Sequence, residues 1–251
     1  MSEPAALLAI ITAVFLLAGA VKGVVGLGLP IVSLGLLSVL LELPTAMALM
    51  LVPALITNIW QALVGAGLVP LLRRLWPFLL AAALGVWPGA LALTRVDSKL
   101  LLAMLGALLV VYAAVGLFGL RFVVPPRREA WAGPLCGASN GLFAGMTGCL
   151  SVPGVMYLQA LGLARDQLVQ AMGMLFTVST LALGIAMQSE RLLSLELGLI
   201  STAAVLPALL GMQLGRALRQ RLSEALFSRV LLVAILLVGL GLVAKAALLS
   251  A

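Results

Sequence analysis

The chain has 251 residues, 64% of them hydrophobic and 9% charged, with a mean hydropathy of +1.26, whereas a soluble domain carries about 25% charged residues. That excludes a water-soluble fold and indicates an all-α integral membrane protein. The net charge of +7 rests on single and paired basic residues between apolar runs, as topology signals do, and not on a patch interleaved with aromatics, so nucleic acid is excluded as a partner.

Apolar length and helix breakers predict ten segments, near residues 5–20, 24–40, 46–66, 76–93, 100–120, 131–146, 149–162, 167–188, 194–214 and 227–248. A helix needs roughly 20 residues to cross the hydrocarbon. The runs 5–20 and 24–40, and 131–146 and 149–162, are short and glycine-broken, so each pair reads as half-helices or a re-entrant hairpin; the expected count is eight to ten membrane segments. Glu3 precedes the first run and Lys22 follows it, the reverse of a cleavable signal peptide, so the run is retained as a membrane segment. The polar breaks are about 3 to 12 residues, too short for a further domain, and residues 1–251 read as one polytopic membrane domain.

The two halves carry the same features in the same order. Gly23 falls on Gly141, Pro44 on Arg165 and Pro88 on Pro207, an offset of about 120 residues. Each half opens on a glycine-rich broken pair and continues with a segment holding polar residues at its centre (Thr57, Asn58 and Gln61; Thr177, Ser179 and Thr180), a proline-bearing segment and a plain apolar one. This predicts internal repeats over about 5–120 and 131–249. Alternating sides of the membrane, one side collects Arg73, Arg74, Arg121, Arg127, Arg128, Arg165, Arg216, Arg219 and Arg221, the other Arg95, Lys99, Arg191 and Lys245. The richer side is expected to be cytoplasmic, with both termini outside. The second half then enters from the opposite face, which makes the repeats inverted in topology. Trp76 and Trp131 fall at cytoplasmic segment ends, where indoles prefer to sit.

Inverted repeats with broken helices are an architecture in which substrates bind between the repeats at exposed helix ends. In GAVKGVVGLGLP, residues 19–30, Lys22 stands alone among glycine and apolar residues. A charge in hydrocarbon costs at least about 2.5–3.5 kcal/mol, so it should face a partner, water or an anion; the nearest carboxylates in the sequence, Glu3 and Glu42, lie at segment ends. The alternative is a surface loop or a snorkelling side chain. Gly23, Gly26 and Gly28, and Gly141, Gly145 and Gly148 in GASNGLFAGMTGCLSVP, permit unwound backbone whose free amides hold an anion, with Asn140 and Thr147 as neutral donors. The alternative is GxxxG packing, the spacing of Gly19 to Gly23, Gly137 to Gly141 and Gly141 to Gly145. Asn58 and Gln61 share a helix face, as do Gln170 and Thr177; such amides either bind substrate or join helices. Cys136 and Cys149 lack a CxxC spacing, and the chain has no histidine and no carboxylate at the centre of a span. No enzyme, metal site or other cofactor is expected, and no proton relay is visible.

At GAVKGVVGLGLP, ELPTAMALMLVPALITNIWQ and NGLFAGMTGCLSVPGVMYLQALGL the chain resembles the sulfite exporter TauE/SafE family over essentially its whole length. The resemblance implies a two-repeat bacterial inner-membrane permease for sulfite, sulfonates and related organic anions. It places Lys22, Gly23, Gly26 and Gly28 in the first repeat's glycine motif, and Gly141, Gly145, Gly148 and Pro153 in the second. Where many members carry a glycine triplet ahead of a proline, this chain has Leu27, Gly28, Leu29 and Met146, Thr147, Gly148. The motif defines the family, not the substrate. The expected partners are a small anionic substrate and the lipid bilayer, and a homodimer is compatible with so small a permease. Export is favoured over uptake, because each negative charge moved out of a negative interior gains about 2.3 kcal/mol per 100 mV without a coupling ion. An ion-coupled anion uptake transporter, a channel and a non-transporting membrane scaffold are the alternatives.

Overall fold

The structure is a computed structural model that describes residues 3–65, 67–120, 122–219 and 223–249. It is wholly α-helical among the described residues: α1 Glu3–Val25, α2 Leu29–Leu40, α3 Leu43–Leu63, α4 Leu68–Arg95, α5 Ser98–Leu117, α6 Pro126–Thr147, α7 Gly154–Ala160, α8 Arg165–Ser189, α9 Leu195–Ala203, α10 Val205–Arg219 and α11 Glu224–Leu248. In hydrocarbon each backbone amide must be bonded within its own segment, which leaves the helix as the open-chain solution. Seven of the described helices are long and apolar enough to cross a membrane: α1, α3, α4, α5, α8, α11 and the combined run Leu195–Arg219 of α9 and α10. The short α2 and α7 fall outside that set, as does α6, whose first turn carries Arg127, Arg128 and Glu129. Large apolar side chains such as Leu84, Leu199 and Leu237 stand outward from these helices, a surface suited to lipid and not to water.

Among the boundaries that differ from the sequence reading, two stand in the first half. The first segment does not stop before Lys22: α1 runs through it to Val25, because glycine and valine next to an apolar helix do not by themselves end it. The break comes at Gly26 and Gly28, whose φ angles of 82° and 115° lie in the left-handed region that glycine enters without a Cβ penalty. Pro30 then starts α2 in its first turn, where a missing N–H costs nothing. Further along the first half α4 reaches back beyond the expected residue 76 to Leu68, so Arg73 and Arg74 are helical residues and not loop.

Four seams hold the bundle together. α1 packs on α10 and α6 on α4, while α3 packs on α8 and α5 on α11. The first two seams are built from glycine. A methyl at Gly19 or Gly23 would overlap the backbone carbonyl of Ala208 or Met212, and one at Gly211 or Gly215 that of Leu16 or Ala20. On α6, Gly137, Gly141 and Gly145 face the carbonyls of Phe78, Ala82 and Val86, while Gly85 and Gly89 of α4 face those of Ala138 and Leu142. Both registers advance together along the chain, so each pair is parallel. Backbone touching backbone is the closest approach two helices can make, and it recovers dispersion that lipid cannot supply.

Pro53 interrupts α3. Its missing N–H leaves the carbonyl of Leu49 without its helical donor; Ser201 of α9 donates its hydroxyl to that carbonyl at 2.8 Å and accepts from the N–H of Val52 at 3.2 Å.

The contacts sort the helix ends into two faces. Arg74 on α4 forms a bidentate pair with Glu129 on α6, Gly23 lies against Arg216, Gly26 against Val169, and Gly67 donates to Gln170. The ends of α1, α4, α6, α8 and α10 that carry Arg73, Arg74, Arg127, Arg128, Arg165, Arg216 and Arg219 therefore share one face. Trp76 and Trp131 stand exposed near it. On the other, Thr94 bonds Glu190, and Lys245 caps the carbonyls of Ser38 and Val39 at the end of α2. Arg121 and Arg221, counted above toward the richer side, lie outside the described residues.

Candidate functional site

Lys22 lies in the last turn of α1 and points inward, 4% exposed. This is neither a surface loop nor a snorkelling position. Its ammonium donates to Thr57 Oγ1 at 3.1 Å and to Asn58 Oδ1 on α3. Thr57 in turn donates its hydroxyl to the Pro53 carbonyl at 2.8 Å, a carbonyl that helix geometry holds in place, so the threonine oxygen is turned toward the lysine as an acceptor. Both partners are neutral. The amide nitrogen of Asn58 is buried and has no partner. Thr57 and Asn58 precede the end of α3 by five or six residues, about 8 Å, and follow its midpoint at Pro53 by four or five, so the ammonium sits about halfway between the middle of the span and its arginine-bearing end.

One turn on, Gln61 and Gln170 join α3 to α8. Gln61 Nε2 donates to the Val169 carbonyl at 2.8 Å, and Gln170 Nε2 donates to the Ala62 carbonyl at 2.9 Å. Gln170 Oε1 also accepts from Gly67 N at 3.1 Å. Of the two roles open to these amides, the geometry displays helix joining, while Asn58 serves the lysine. Thr177 donates to the Gly173 carbonyl of its own helix.

The second half's counterpart of Lys22 is built differently. Asn140 Oδ1 accepts from Gly154 N at 2.9 Å, tying α6 to the start of α7, and its Nδ2 is buried without a partner. Thr147 donates to the Phe143 carbonyl and accepts from Cys149 N, closing the end of α6. No hydrogen bond among those described links Lys22, Thr57 and Asn58 to Asn140, Thr147 or Thr177. The six motif glycines divide. Gly23, Gly141 and Gly145 are helical and serve the seams, whereas Gly26, Gly28 and Gly148 are left-handed and break the chain. The expected unwinding at Gly23, Gly141 and Gly145 is therefore corrected to close packing.

An open cavity of about 940 Å³ sits beside the first break, bounded by Val25 and Leu27 and by Tyr112, Phe122, Met156 and Leu231. Lys22 is not among its lining residues; one helical turn separates the lysine from Val25. Sequence reasoning passed over Thr57 and Asn58 as the lysine's partners and Ser201 altogether. The proline at position 53 was the available signal for Ser201, since it announces a carbonyl in need of a donor.

Membrane-length helices, glycine seams and a buried lysine held on neutral oxygens define a polytopic membrane protein. The sequence matches the family described as Sulfite exporter TauE/SafE over residues 11–242, and the chain belongs to that family of membrane transporters. No curated protein and no solved structure matches it.

Proposed function

We propose that the protein is an inner-membrane permease for small oxygen-rich sulfur anions, sulfite or sulfonates, and that Lys22 is the cation that receives them. The observation that carries this reading is a lysine buried to 4% exposure whose partners among the described residues are neutral oxygens. A cation so placed keeps a large part of its desolvation cost uncompensated. An anion supplies the missing charge. The cavity at Val25 and Leu27 comes within one helical turn of Lys22, near the face where exposed Arg127, Arg128 and Arg216 raise the local concentration of anions.

The two halves act as inverted repeats in this proposal. Crosswise pairing supports it: the first helix of each half, α1 or α6, lies parallel to the proline-bearing helix of the other, α10 or α4. With the arginine-rich face cytoplasmic, the membrane potential drives anions outward, and export needs no coupling ion.

Flux of sulfite and of methanesulfonate in proteoliposomes, with Lys22→Met beside the parent, is the test. Loss of flux in the variant, with an unfolding midpoint at or above the parent's, supports the reading. Unchanged flux removes Lys22 from the pathway.

A further inference from the structure

The cavity of about 940 Å³ lies between the end of α5, the connection to α6, the short helix α7 and the start of α11. Its walls are mostly apolar, Val115, Met156 and Leu231 among them. Three polar side chains also line it, Tyr112, Gln159 and Ser228, and none of them has a hydrogen-bond partner among the described residues. An apolar space of this size with a few unengaged polar groups has the make-up of a ligand pocket.

The surroundings say which kind of ligand. The connection between α5 and α6 is non-helical, and Phe118, Leu120, Phe122 and Val123 stand exposed along it. Exposed apolar side chains call for hydrocarbon, while open backbone amides call for water or headgroups. Both needs are met at the boundary of the bilayer, so the cavity opens there. Arg127 and Arg128 follow the lining residues Pro125 and Pro126 directly, and Arg229 follows Ser228; all three arginines are exposed. None makes an ion pair among the described residues, since Glu129, the carboxylate beside them in the sequence, is taken by Arg74.

We propose that this cavity holds one anionic phospholipid from the leaflet on the arginine-bearing side, with an acyl chain along the apolar wall and the phosphate among Arg127, Arg128 and Arg229. A small soluble anion would meet the arginines and leave the apolar space unfilled. A zwitterionic lipid would fill the space and bring no net charge to the arginines. An anionic lipid does both, in the way that basic pockets between membrane helices take such headgroups. Lys22 is not among the lining residues, so the lipid site stands apart from the anion site proposed above.

The test uses full-length protein, purified and delipidated in detergent. Unfolding midpoints are followed against phosphatidylglycerol, phosphatidylcholine of the same chains, and glycerol phosphate, because a ligand of the folded state raises the midpoint. Phosphatidylglycerol is expected to reach its half-maximal shift at a concentration at least about tenfold below that of phosphatidylcholine, and glycerol phosphate to give no shift. Equal potency of the two lipids overturns the proposal, as does a shift with glycerol phosphate matching that with phosphatidylglycerol, which would mark a site for a soluble anion. Replacing Arg127, Arg128 and Arg229 together by Gln should bring the two lipids level, and a preference kept in the folded variant overturns the proposal. A photoreactive phosphatidylglycerol, labelled in its chain, locates the site in the parent protein whatever the variant does. Label is expected in the cavity's segments at 112–126, 156–162 and 228–232; label confined to other helices overturns the assignment.

Discussion

The hydroxyl of Ser201 occupies the hydrogen-bonding place that Pro53 vacates, reaching the Leu49 carbonyl from a helix some 150 positions further along the chain. The proline and the serine form one device: the first frees a carbonyl in the middle of a buried span, and the second closes it again. Ser201→Ala takes the hydroxyl away from that carbonyl and from the Val52 amide. The expected cost is about 0.6–1.7 kcal/mol, the span found for hydrogen bonds between membrane helices. An unfolding titration in mixed micelles reads it. In the Pro53→Ala background, where the helix can supply its own donor, the same serine change should cost less.

The glycine seams give a second prediction. Gly141→Leu sets a side chain against the Ala82 carbonyl and the Gly85 Cα, atoms that cannot rotate aside, so α4 and α6 must part. Overpacking of this kind costs roughly 1–3 kcal/mol. Gly241→Ala on α11, where nothing lies within 4 Å of the added methyl, is the control and should be neutral or stabilising by up to about 1 kcal/mol through helix propensity. A comparable loss at both positions, read from thermal midpoints, would show that propensity rather than seam contact governs these glycines.

Gln61 and Gln170 bond each other's neighbouring carbonyls, so neither is expected to act alone. Gln61→Leu and Gln170→Leu each remove one bond, and Gln170→Leu also strands Gly67 N. Gln170→Leu should therefore be the costlier change, and a double-mutant cycle should show coupling of about 0.5–1.5 kcal/mol. Additive effects would mean that the two amides do not work as one clasp.

Lys22→Met carries opposite expectations for stability and for transport. Replacing a buried charge that lacks an ionic partner by an apolar side chain of similar length is expected to stabilise the fold, by roughly 1–3 kcal/mol, while abolishing anion flux. A lysine that merely joined α1 to α3 would do the reverse, lowering the midpoint and leaving flux in those molecules that stay folded. Measuring both on one preparation separates the roles.

Much of the framework was legible because lipid imposes it. Apolar run length placed α3, α5, α8 and α11 to within a few residues, since a span that fails to bury its own amides does not survive in hydrocarbon. That Lys22 and Asn58 each need a partner could be read for the same reason, since polar groups inside such runs must be satisfied; that they partner each other could not. Depth and conformation were not legible. Nothing local separates Gly23, which stays helical, from Gly26, which does not; the difference is that Gly23 lies against the Met212 carbonyl and Gly215 of α10, a contact set by residues almost two hundred positions away. Likewise Gln170 reads equally well as a ligand or a tie until the Ala62 carbonyl is found beneath it. Residue type announces that a polar group needs a partner, and only the assembled bundle says which.

The crosswise seams also bear on how such a molecule works. With α1 locked backbone to backbone on α10, and α6 on α4, each end of the polypeptide is laced into the opposite one. Swinging the amino-terminal portion as a slab against the carboxy-terminal portion would unzip two contacts that lipid cannot replace. The laced quartet α1, α10, α4 and α6 is the stiff frame of the molecule, and the short helices α2 and α7, which follow the left-handed breaks at Gly28 and Gly148, lie outside it.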